Sequence, residues 1–196
     1  VQFFLFTIPS VFYFLSPLRI ALLSAICILG ILYSINFKIG DSGFRLKNVF
    51  IVKNLFIGIL WGSLILVGAN GATNSIVNGL WIFTTLQVFI GSIIRDIPDV
   101  QSDKKDSVNS FPVVMGEKKT IVLLHVLNII SFGAGYALER KNEFILLMGI
   151  TIVWRFISLV KVQSNPNSRL WSQTFNLLTC FLIFAVSSFE LLYELY

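Results

Sequence analysis

Four aspartates crowd the stretch between Gly91 and Lys119: Asp96, Asp99, Asp103 and Asp106. They are four of the ten acidic residues in the chain, and the apolar runs on either side are each long enough to cross a bilayer. On an α-helix, at about 100° per residue, Asp96, Asp99 and Asp103 fall within roughly 60° of one another, and Asp106 widens the arc to about 80°. Carboxylates stacked on one face repel each other, and unpaired charge at a membrane edge is costly. A cation is therefore expected among them. Mg²⁺ suits best, because it binds through one or two carboxylates together with the phosphates of a substrate. The spacing alone is a weak signal, since most charged loops between membrane helices are solvated and do no chemistry.

Partners for such an ion are sought on the same side of the membrane. Tyr33 and Lys38 close the second apolar run. Lys38 offers a compact charge for phosphate oxygens and Tyr33 a hydroxyl donor. An interfacial tyrosine and a boundary lysine are also ordinary in membrane proteins. Lys53-Asn54, at the entry to the third run, is placed to reach the same cavity or simply to snorkel. Arg155 lies well inside an apolar run, either as a functional intramembrane charge or snorkelling towards its end. His125, the single histidine, is read as an interhelical hydrogen-bonding residue. Cys27 and Cys180 have no C-x-x-C spacing and read as small buried hydrophobes.

The elements that must position these residues are membrane helices. Hydrophobic residues make up 56% of the chain and charged residues 13%, with a mean hydropathy of +0.83, which excludes a soluble domain. Seven apolar segments are predicted: Val1–Leu15 (short, and carrying Pro9), Leu18–Phe37, Val49–Val67, Ile76–Ile94, Thr120–Leu138, Phe144–Val162 and Phe175–Leu195. Continuous apolar runs argue against barrel strands, which alternate over about half that length. The class is therefore all-α, a polytopic helical bundle. Lys and Arg number eleven in the loops and flanks after the second, fourth and sixth segments, against three on the other side (Arg19, Arg140 and Lys141). The positive-inside rule places the aspartates in the cytoplasm, and in a bacterium the membrane would be the inner one. The basic residues form no continuous stripe, so a nucleic-acid partner is not expected.

The block Arg95–Gly116 resembles the second aspartate-rich motif of the UbiA family of membrane prenyltransferases. There a D-x-x-D-x-x-x-D run closes a helix, and a short loop, a proline and a glycine follow; Asp96, Asp99, Asp103, Pro112 and Gly116 fit that layout. A glycine often follows the last aspartate in the family, where this chain has Lys105 and Asp106. Tyr33 and Lys38 resemble the family's Y-x-x-x-(x)-K element.

The resemblance implies a ring of helices around a lipid-facing cavity. It also implies Mg²⁺ held by Asp96, Asp99 and Asp103 as the catalytic set, and a prenyl diphosphate bound by Tyr33, Lys38 and Arg95. A polyprenyl group would pass from that donor to an aromatic or other lipophilic acceptor. The family's first motif, N-D-x-x-D-x-x-x-D, is not found, and no acidic residue precedes Asp41. Residues 1–196 are then expected to be one transmembrane domain matching the family's last seven helices, without the first two, and not to turn over on their own. The alternative is a non-catalytic protein of the same fold that binds an isoprenoid or a partner.

Overall fold

The computed structural model describes residues 16–35, 37–39, 42–44, 50–69, 71, 73–138 and 142–165. The predicted segments at residues 1–15 and 175–195, and with them Cys180, lie outside the described residues. The elements in order are α1 (Pro17–Ser34), β1 (Phe37–Ile39), β2 (Ser42–Phe44), α2 (Val52–Gly62), α3 (Leu64–Gly68) and α4 (Ser75–Asp96). A 3₁₀ turn (Ile97–Asp99) follows, then α5 (Val100–Lys105), α6 (Phe111–Met115), α7 (Glu117–Leu138) and α8 (Asn142–Ser164).

The long helices start where local chemistry allows. Asn74 caps α4 by accepting the Val77 N–H at 2.8 Å, and Ser16 caps α1 by accepting the Arg19 N–H at 3.3 Å, with Pro17 in the first turn. Among the described residues, three helical stretches are long and apolar enough to cross a membrane: Ser75–Lys105, Glu117–Leu138 and Phe144–Ser164. Within their apolar windows 67% of residues are buried in the first, against 28% and 33% in the others. The central helix is therefore α4, while α7 and α8 turn apolar side chains such as Ile129, Leu146 and Val153 outwards, as lipid-facing helices do.

Packing on α4 sets the rest. The helix runs against α2 on one side and α7 on the other, and α8 packs on α7. The close approach of α2 depends on Gly58 and Gly62, a small-xxx-small pair that lets two backbones meet. A Cβ at Gly58 would lie 2.7 Å from the Thr85 carbonyl oxygen, and one at Gly62 would collide with the Thr85 side chain. Towards the aspartate end, Phe89, Ile90, Ile93 and Ile94 pack with Phe111, Ile121, Leu124 and Leu159 in one apolar cluster. The Phe89 and Phe111 rings meet edge to face with centroids 5.9 Å apart.

Several expectations change. The segment predicted at Val49–Val67 is two helices that meet at Ser63. The chain after α1 leaves the helix at Ser34 and forms an antiparallel hairpin that pairs Phe37 with Phe44 and Lys38 with Gly43. Cys27 is exposed on α1 rather than buried. The aspartates do not ride on one unbroken α-helix. Pro98 lacks an N–H and its ring clashes with the carbonyl four residues back, so α4 ends at Asp96 and the next three residues tighten into a 3₁₀ turn.

The candidate site at the aspartate end of the central helix

Asp96 is the last residue of α4, and both of its carboxylate oxygens are engaged from α2. The Lys53 ammonium donates to Oδ1 at 2.9 Å, and the Asn54 amide donates to Oδ2 at 3.1 Å. The same Asn54 nitrogen donates to Ser92 Oγ at 3.0 Å, one turn earlier on α4, and Ser92 in turn donates to the Phe89 carbonyl at 2.8 Å. Asn54 is 2% exposed, so this bracket is fixed by packing. The ion pair is not sealed: the Lys53 and Asp96 side chains keep 19% and 13% of their surface. Its position follows from the glycine pair one and two turns along α2, which brings Lys53 and Asn54 against the end of α4.

Beside this bracket is a cavity of about 290 Å³ lined by Tyr33, Lys53, Asn54, Ser92, Arg95 and Asp96, among others. That is at the small end of the range for ligand sites and suits a charged headgroup better than a whole prenyl chain. The Tyr33 ring, which lines the cavity, stacks on Phe56 of α2 with centroids 5.2 Å apart and planes 10° apart. Of the residues singled out from the sequence, Tyr33, Arg95 and Asp96 are thus brought together. Asp99 ends the 3₁₀ turn and Asp103 lies in α5; neither lines the cavity. Lys38 lies on β1, and its side chain is outside the described residues.

Asp103 lies within electrostatic range of Asp96, and its Oδ2 is buried without a hydrogen-bond partner among the described residues. A cation would satisfy that oxygen. Among the described residues no group of three or more His, Cys, Asp or Glu forms a ready-made metal cluster. The donor set therefore fits an ion that takes one or two carboxylates and draws its other ligands from phosphate and water, which is the habit of Mg²⁺. The loop beyond is closed by a Schellman turn: Val108 N–H donates to the Asp103 carbonyl at 2.8 Å and Ser107 N–H to that of Lys104 at 3.3 Å. Ser107 takes the left-handed position with φ 54°. The turn that glycine often makes just after the last aspartate is made here four residues after Asp103.

The sequence leaves Lys53-Asn54 open between a site role and snorkelling, and does not single out Ser92. The available signal was the Gly58/Gly62 spacing, which marks the face of α2 that must touch another helix. Two other readings resolve differently. Arg155 does not snorkel: it is 1% exposed and donates to the Gln87 side chain at 3.2 Å and to the Gln87 carbonyl at 3.1 Å. His125 meets α8 ring to ring, with its centroid 4.9 Å from that of Phe156, and its Nδ1 is buried without a hydrogen-bond partner among the described residues.

A bundle of apolar helices whose central member ends in a polar, carboxylate-bearing cavity defines an integral membrane protein with a site at one end of the bundle. The family model of the UbiA prenyltransferase family matches residues 1–187, and the chain belongs to that family. It is similar to digeranylgeranylglyceryl phosphate synthase of Methanosphaera stadtmanae, at 32% identity over 56% of this chain and 41% of the relative. The synthases of the same name from Methanococcus vannielii and Methanocaldococcus jannaschii are 26% and 27% identical over 69% and 60% of this chain. The aligned stretches span 51% and 43% of those two relatives, so the chain spans about half the length of the curated relatives it matches. No solved structure matches the chain.

Proposed function

We propose that the aspartate end of α4 is the diphosphate site of a Mg²⁺-dependent prenyltransferase that moves a polyprenyl group from an allylic diphosphate to a lipophilic acceptor. The observation that carries the reading is Asp96 in a small cavity with Tyr33, Lys53 and Arg95, within electrostatic range of Asp103, whose Oδ2 is buried without a hydrogen-bond partner among the described residues. Asp96, Asp99 and Asp103 are the carboxylates that would hold Mg²⁺, and Tyr33, Lys38 and Arg95 are the groups that would bind diphosphate oxygens. When bound, Mg²⁺ neutralises charge developing on the leaving diphosphate.

The side chains make the same contribution in kind. Arg95 and Lys38 would supply positive charge, and Tyr33 a hydrogen-bond donor, to the diphosphate as the C1–O bond breaks and negative charge accumulates. Apolar helix faces would have to keep water from the allylic cation. An acceptor oxygen or ring carbon then bonds to C1 and releases its proton to solvent. The names of the relatives support a geranylgeranyl donor and, as acceptor, a glyceryl phosphate already carrying one geranylgeranyl group, which would leave an ether product. The eleven-to-three bias of Lys and Arg supports a cytoplasmic placement of this end.

Purified protein would be given geranylgeranyl diphosphate with either geranylgeranylglyceryl phosphate or an aromatic acceptor, with and without Mg²⁺, and products followed by mass spectrometry. Mg²⁺-dependent binding of the diphosphate is expected from residues 1–196, and ether formation that requires Mg²⁺ from a chain that also carries the family's first aspartate motif. Absence of any transfer, together with absence of Mg²⁺-dependent diphosphate binding, would overturn the reading and favour a non-catalytic member of the fold.

A further inference from the structure

Lys53 holds Asp96 by an ion pair across two helices, yet both side chains border the cavity that the diphosphate would enter. The two partners of Asp96 differ in kind. Asn54 is 2% exposed and is tied to Ser92 as well as to Asp96, so its place is set by the α2–α4 packing. Lys53 keeps 19% of its side-chain surface, and the lysine stem has four rotatable bonds that let the ammonium swing without moving the backbone. A Mg²⁺ ion arriving at Asp96 Oδ1 would compete with the ammonium for the same oxygen, while the diphosphate it accompanies offers the ammonium new acceptors.

We propose that Lys53 is an exchangeable counter-ion: it neutralises Asp96 until Mg²⁺ and diphosphate enter, then transfers its ammonium to a diphosphate oxygen, while Asn54 keeps Asp96 in place. Exchange of this kind presupposes the Mg²⁺–diphosphate site proposed above. Lys53 thereby disfavours metal binding without substrate and favours the two together. A lysine serving only to hold α2 to α4 would have no reason to act in opposite senses on the two ligands.

The test measures two affinities on the purified protein: Mn²⁺ alone, by the electron paramagnetic resonance signal of free ion, and inorganic diphosphate at saturating Mg²⁺, by calorimetry. Lys53→Met removes the competing charge and the phosphate contact together. It is expected to tighten Mn²⁺ binding about 3- to 10-fold and to weaken diphosphate binding about 10-fold, since a charge-assisted hydrogen bond is lost. Lys53→Arg keeps the charge and should stay within about 3-fold of wild type on both. Asn54→Ala should weaken both, because Asp96 loses its fixed mount.

Weakening of both ligands in Lys53→Met, or no change in either, overturns the exchange and leaves Lys53 a structural tie. If Lys53→Met fails to fold, Lys53→Gln carries the same sign test. Wild-type protein that binds neither Mn²⁺ nor diphosphate overturns the site itself, and with it the exchange. Wild-type binding without the sign reversal overturns the exchange alone.

Discussion

Two polar clusters sit on α4, nine residues apart at Gln87 and Asp96, or about 13 Å along the helix. At Gln87 the groups close on one another. Its amide donates to Asn128 Oδ1 at 2.9 Å and to Ser131 Oγ at 2.8 Å, Asn128 donates to the Ile152 carbonyl at 3.0 Å, and Arg155 donates twice to Gln87. Gln87, Ser131, Asn128 and Arg155 are all 2% exposed or less. At Asp96 the Lys53–Asp96 ion pair is partly exposed and borders a cavity. Both clusters join helices, but only one can exchange partners. A satisfied network buried among apolar side chains fixes how α4, α7 and α8 sit, because any group that let go would find no water to replace its partner. The Asp96 bracket borrows that fixed scaffold and leaves its own charges within reach of a ligand.

The largest effect should come from opening the closed cluster. Arg155→Met leaves Gln87 without its donor at a buried position and should cost roughly 2–4 kcal/mol of stability. That loss would be read as a fall in Tm of the detergent-solubilised protein, with diphosphate affinity of the folded fraction unchanged. Loss of diphosphate affinity without loss of Tm would invert the roles of the two clusters.

Asp96→Asn should do the opposite. Binding of inorganic diphosphate at fixed Mg²⁺ is expected to weaken about 10- to 100-fold, the usual cost of disturbing a metal's protein partners. The change in Tm should be small, because the Asn54 contact can be kept. A large fall in Tm with unchanged binding would make Asp96 a structural residue.

Gly58→Ala acts between the two. Its Cβ would lie 2.7 Å from the Thr85 carbonyl and 3.2 Å from the Phe89 Cβ, and neither can step aside without moving α4. The expected cost is about 1–2 kcal/mol, with weaker Mg²⁺-dependent diphosphate binding as Lys53 and Asn54 shift from Asp96. Unchanged binding would show that the bracket does not depend on the α2–α4 contact. The smallest effect belongs to Ser107→Gly, which relieves a left-handed residue and should raise stability by about 0.5–1 kcal/mol, measured as a small rise in Tm with unaltered binding.

The difference between the clusters also explains what could be read from the sequence. Long apolar runs announce membrane helices because the bilayer sets their length, and aspartates at the end of such a run stand out because charge there needs a partner. Their partners were less legible. Lys53 and Asp96 are 43 residues apart and Arg155 and Gln87 are 68 apart, and neither pairing follows from spacing along one helix. Each depends on how two helices cross. The Gly58/Gly62 pair carried part of that information, and Pro98 the break after Asp96. Gly40-Asp41 is a two-residue hairpin signal set between short strands, but it is easily lost behind an apolar run that reaches Phe37. Exposure of Cys27 was not legible at all, since lipid-facing and buried positions are equally apolar.

Asp96, Asp99 and Asp103, at and just beyond the end of α4, are proposed to bind a prenyl diphosphate through Mg²⁺. The direct measurement is the affinity of a non-reactive geranylgeranyl diphosphate analogue, with and without Mg²⁺, for wild type and for Asp99→Asn. Wild type should bind at least 10-fold more tightly with Mg²⁺ than without, and Asp99→Asn should lose most of that difference while keeping its Tm. Equal dependence on Mg²⁺ in both proteins would contradict the assignment of the site.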